Sequence, residues 1–175
     1  MPRLAFTTFA IMKAPYGDPQ VAQFEALTPS VFRTAERAPG FIDRAKEIDD
    51  NEYLTNFERD WGVWGRFAVP RFYDGGSATA CDTRASTLSL WVSVETVRNF
   101  AYSGLHKRAL DQRQKWFRKP EWPTYAMWWV ADHVIPCWTD ACERLEYLHD
   151  HGPTEYAFNF ERPFPMSIPV IPDEL

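Results

Sequence analysis

A basic excess, long apolar runs and paired cysteines are all missing from this sequence. Lysine and arginine number 19 against 24 acidic residues, a net charge of −5 at pH 7. Nucleic-acid binders need clustered cations for the phosphates, so that class is excluded. No run of about 18 apolar residues occurs, so no membrane partner is expected. Met1-Pro2-Arg3-Leu4 opens straight into strand-like residues, without the long apolar stretch of a signal peptide. The expected location is cytoplasmic. Cysteine number is 3, too few and odd for a disulfide scaffold. Cys137 and Cys142 match no common zinc spacing, and there is no HExxH or CxxC pair. A glycine-rich phosphate loop and a GxSxG elbow are absent too. The expectation is therefore no metal, no nucleotide cofactor and no covalent hydrolase chemistry.

Aromatic residues are abundant, at 16% with Trp 8, Tyr 7 and Phe 13. They form either a heavy core or a ring-lined pocket. The 175 residues suit one domain, with a core that needs no staples.

Residues 3–11 (RLAFTTFAI) read as a first strand. Asp18 suits an N-cap with Pro19 at the first helical position, and the helix should run to about Arg37 through Pro29. Phe41 to Ile48 reads as a second strand. Residues 59–86 are irregular yet too apolar for a disordered linker, so they read as an ordered excursion with a turn at Asp74-Gly75-Gly76. Thr87 to Ser93 alternates as a half-buried strand. Ser93 caps one long helix bounded by Pro120 and Pro123. Pro123 to Val130 is another strand, and Thr139 or Asp140 starts a short helix ended by Gly152-Pro153. A Pro-rich tail follows at about 156–175.

The order β-α-β, insert, β-α-β, helix suits an α+β fold: a ferredoxin-like antiparallel sheet with helices on one face. The other face needs a cover, or Trp91 and one of Trp128 and Trp129 would meet water. A second copy of the sheet is the simplest cover, so a homodimer is expected.

The segments LSLWVSVETVRNFAYSGLHKRALDQRQKWF (88–117), YAMWWVADHVIP (125–136) and ERLEYLHDHGPTEYAFNFERPFP (143–165) resemble domain-of-unknown-function family 3291. RLAFTTFAIMKAPYGDP (3–19) and APGFIDR (38–44) match it more loosely. That family is similar to the dimeric α+β barrel group that includes the antibiotic biosynthesis monooxygenases. The resemblance implies a dimeric α+β barrel over 1–175, a pocket between sheet and helices, and often no metal or flavin. The excursion at 59–86 is longer than the family norm. Fold analogy by itself is a weak warrant for function.

On one continuous helix, Tyr102, His106, Ala109, Arg113 and Trp116 would share a stripe. His106 suits a general acid or base, Arg113 an anion holder, and Tyr102 a proton donor or ligand orienter. The plainer reading makes His106 a packed histidine and Arg113 a surface residue. Trp91, Trp116, Trp128 and Trp129 would shape a substrate pocket, with His133 at a strand end entering it. His133 reads equally as a turn residue, and His149 and His151 as helix-end cations. The favoured function is a small-molecule enzyme that acts on a hydrophobic aromatic or polycyclic metabolite by acid–base chemistry. Cyclisation, isomerisation, dehydration and cofactor-free oxygenation all stay open. The alternatives are haem binding through His106 or His133, and ligand binding without catalysis.

Overall fold

The computed structural model describes residues 1–51 and 54–166. Among these residues four strands and four α-helices follow one another. They are β1 (Arg3–Ile11), α1 (Ala22–Glu36), β2 (Phe41–Arg44), β3 (Arg84–Trp91), α2 (Val94–Ala101), α3 (Gly104–Trp116), β4 (Tyr125–Val130) and α4 (Trp138–His151). The strands form one antiparallel sheet in the order β2-β3-β1-β4.

Strand alternation divides the apolar residues between two faces. Leu4 and Phe6 of β1 lie with Trp91, Met127 and Trp129 on one face. Val97 and Ala101 of α2, Ala35 of α1, and Phe158 and Phe160 of the tail cover them. The opposite face carries Ala5, Phe9 and Ile11 of β1 with Leu88, Leu90, Ala126 and Trp128. There Trp138, Ala141, Leu145 and Leu148 of α4 close it, helped by Trp61, Trp64 and Phe67 of the excursion. The cover is a ring cluster: Trp138 lies 5.1 Å from Trp61 and 4.7 Å from Phe67, centroid to centroid. Such tilted pairs add to plain area burial.

That arrangement overturns the reason given for a second copy. Trp91, Trp128 and Trp129 are only 1%, 2% and 5% exposed in a single chain. The excursion and α4 do what a partner sheet was expected to do. For the same reason β3 is not half-buried: from Leu88 to Trp91 every residue is buried.

Local chemistry shifts several element boundaries. Asp18 caps a separate turn, accepting from the Gln20 amide at 2.8 Å, and α1 starts only after Val21. Val21 is fully buried against Met12, Ala14 and Trp116, which fixes where the helix begins. The helix then continues through Pro29. Strand β2 is shorter than expected and ends at Arg44, although the Ala45 amide still bonds the Leu88 carbonyl. Ser93 caps α2 as expected, its hydroxyl accepting from the Thr96 amide at 3.3 Å. The long helix, however, is two helices. Gly104 sits at φ +52°, a conformation a right-handed helix cannot use, and the chain breaks at Tyr102-Ser103.

At the far end of the sheet one ion pair is buried. Arg84 opens β3 at 2% exposure, and its guanidinium lies 2.7 Å from the Asp82 carboxylate. Its face rests over Phe67 at 4.3 Å and Phe57 at 5.5 Å. This pair ties the excursion to the sheet.

Candidate functional site

The break between α2 and α3 sets the environment of His106. A continuous helix would bond the Ala101 carbonyl to a backbone amide further on. Here His106 Nδ1 meets that carbonyl at 2.8 Å instead. A carbonyl oxygen only accepts, so Nδ1 carries the hydrogen and Nε2 keeps its lone pair. The imidazole packs against Phe100 at 4.8 Å. Burial lowers its pKa below the ordinary histidine value, more than the Ala101 bond raises it. His106 is thus a neutral base at pH 7 with one defined tautomer.

The same break opens a cleft of about 550 Å³ between α1 and α2. Ser30, Arg33, Thr34 and Arg37 line it from α1. Thr96, Asn99 and Phe100 line it from α2, and Ser103 and Gly104 from the break itself. Phe100 lines the cleft and also packs against His106, which is not itself a lining residue. Gly40 permits the close approach of the two walls. It has φ +79°, and a Cβ there would stand 2.5 Å from the Thr96 Cγ2.

A second cleft, about 520 Å³, lies where Trp129 and α2 meet the tail. Val94, Glu95 and Arg98 form one wall and Pro163 to Pro165 the other. The Trp129 indole donates to the Phe164 carbonyl at 3.0 Å, which uses its polar atom to hold the tail.

The remaining expected site residues do not converge on His106 as one stripe. Tyr102 belongs to the end of α2, half-exposed, with its ring on Phe160 at 5.6 Å. Arg113 is exposed on α3 and donates to the Leu110 carbonyl at 2.8 Å. Trp116 is buried beside Phe24 and Phe117. Trp91 donates its indole N–H to Ser89 and stacks on Phe100, so it supports the site from below without lining it. Trp128 is core, under the excursion. His133 stands in solvent beside Asp132, 3.5 Å away. Of the four tryptophans, only Trp129 borders either cleft. His149 bonds Asp150 and packs on Phe72, while His151 packs on Tyr147. Burial pushes the Cys142 thiol up to about 12, so it is no nucleophile.

The residues that sequence reasoning missed are Arg33 and Arg37. Their i, i+4 spacing on α1 marks a shared face, a signal that was legible. What α1 faces across the cleft was not legible, because that depends on the break at Ser103-Gly104.

Fold and cleft together define an α+β protein with one antiparallel sheet covered on both sides and a polar cleft between two helices. The family model described as Domain of unknown function (DUF3291) matches residues 3–170, and the chain belongs to that family. No curated protein and no solved structure matches the sequence. Among the described residues no helix is long and apolar enough to cross a membrane.

Proposed function

We propose that this protein binds a small organic molecule in the cleft between α1 and α2 and acts on it by proton transfer through His106. The observation that carries this reading is the His106 tautomer. With Nδ1 held by the Ala101 carbonyl and burial lowering the pKa, Nε2 is an unprotonated base at neutral pH. Phe100, which lines the cleft and packs against His106, supplies an aromatic wall for the ligand next to the base. The substrate class stays close to the expected aromatic metabolite. The pocket, though, is walled by Phe100 and polar side chains rather than by tryptophans.

The finer reading of the fold is ferredoxin-like, supported by the order β2-β3-β1-β4 with every pair antiparallel. The dimeric-barrel part of that reading loses its main support, since the chain's own excursion and α4 occupy the face a second sheet would need. The proposed working unit is one chain.

Native mass spectrometry of the purified protein, followed by incubation with any co-purifying compound, tests the function. Conversion of that compound by the wild type and not by His106→Gln supports proton transfer. A compound bound and returned unchanged makes the protein a binder only. Titration with hemin separates the haem reading: a Soret shift lost in His106→Gln would turn the base into an axial ligand.

A further inference from the structure

We infer that the ligand of the α1–α2 cleft is an organic carboxylate, held by Arg33 and Arg37. The inference deepens the proposed function, resting on the reading of this cleft as the ligand site. Its ground is a charge imbalance. The protein is acidic overall, yet no Asp or Glu lines the cleft, and two guanidiniums do. Both are available. The Arg37 guanidinium has no hydrogen-bond or ion-pair partner among the described residues, and the Arg33 guanidinium bonds only the Ser30 hydroxyl, at 2.8 Å. Glu36, their nearest acidic neighbour in sequence, is engaged by Arg44 and Lys46 on the β2 side.

Arg33 lies in the last turn of α1 and Arg37 is its C-cap residue, four positions on with helical dihedrals, a spacing that lets two planar forks serve one anion. A guanidinium matches the two oxygens of a carboxylate geometrically, and charge-assisted bonds of this kind are the stronger ones. Phe100, Ala38 and Pro39 supply the apolar part of the lining. The ligand that fits is amphipathic: a ring against Phe100 and a carboxylate toward α1. This moves the anion-holding role from Arg113, which is bound to its own helix, to two residues on a different element.

The probe is 1-naphthoate, with neutral 1-naphthylmethanol as its uncharged counterpart, measured by calorimetry on the full chain. Naphthoate should bind at least about tenfold more tightly than the alcohol, since only the carboxylate makes charge-assisted bonds to the guanidiniums. Raising salt to about 0.5 M should weaken naphthoate and leave the alcohol unchanged. The pair Arg33→Gln and Arg37→Gln should remove the preference. Both side chains are exposed, so the fold should survive, and circular dichroism checks that. Lys119→Gln, an exposed cation outside the cleft, should leave binding as it was. Equal affinity for acid and alcohol, or a preference that survives loss of both arginines, overturns the inference. These readouts need no turnover. Naphthoate binding alongside a failed conversion test would keep the carboxylate site and reject proton transfer.

Discussion

Replacing Asp82 by Asn should destabilise the fold by about 3–5 kcal/mol, the usual cost of removing one member of a buried ion pair. Asp82 is 6% exposed and Arg84 2%, so neither charge has water to turn to. Removing the carboxylate leaves the guanidinium without a bonded anion, with only the through-space pull of Glu47. The Asn56 amide, with its oxygen toward Arg84, accepts from Nη1 at 2.8 Å and from Nη2 at 3.1 Å. Phe67 and Phe57 offer ring faces, and Nε has no partner among the described residues. At roughly 2–4 °C per kcal/mol for a chain of this size, the melting temperature should fall by roughly 6–20 °C. Urea unfolding at pH 7 measures the free energy directly. A second variant sharpens the argument. Burial raises the Asp82 carboxyl above its ordinary value even with Arg84 beside it, and it lowers the Arg84 guanidinium. Both directions say that lost hydration outweighs the attraction. Asp82→Leu combined with Arg84→Met should therefore recover most of the stability lost by Asp82→Asn. A loss under about 1 kcal/mol in the single variant would refute the reasoning, as would a double variant less stable than the single.

Three other outcomes follow from the same structure. His106 has its folded pKa below the unfolded value, so its neutral form stabilises the fold above the unfolded pKa of about 6.5, and that share is lost as pH falls through that range. Urea midpoints should drop between about pH 7.5 and pH 5, and His106→Gln should flatten the slope; an unchanged slope would mean that the histidine is ordinarily hydrated. Gly40→Ala places a methyl 2.5 Å from the Thr96 Cγ2 at φ +79°, and should cost at least about 1–2 kcal/mol by the same unfolding assay. Light scattering should return the mass of one chain, because both sheet faces are already covered; a dimer would show that a surface other than the sheet carries the contact.

Much of the architecture was legible before any coordinates. Residues 3–11 and 125–130 form strands whose alternate residues take opposite faces of the sheet, with Ala126, Trp128 and Val130 opposite Tyr125, Met127 and Trp129, and both faces are buried. Ser93 caps its helix through a local bond that a sequence can announce. The break at Ser103-Gly104 was less visible, because glycine permits a positive φ without requiring it. Reading through it produced a stripe from Tyr102 to Trp116 that the chain does not form. His106 emerged from that reading all the same. Its bond to the Ala101 carbonyl comes from the break rather than from the stripe.

Periodicity determined the α+β class and most of the strand positions, and the quoted segments pointed to the family. These depend on neighbours along the chain. The tertiary structure alone decided which rings became core, and it decided where the site lies. Trp61, Trp64 and Phe67 could have walled a pocket or covered a sheet; their packing on Trp138 chose the second. Arg33 and Arg37 face the same cleft as Phe100 only because α1 and α2 lie on the same side of the sheet. Such contacts join residues more than sixty positions apart, and no local pattern encodes that distance.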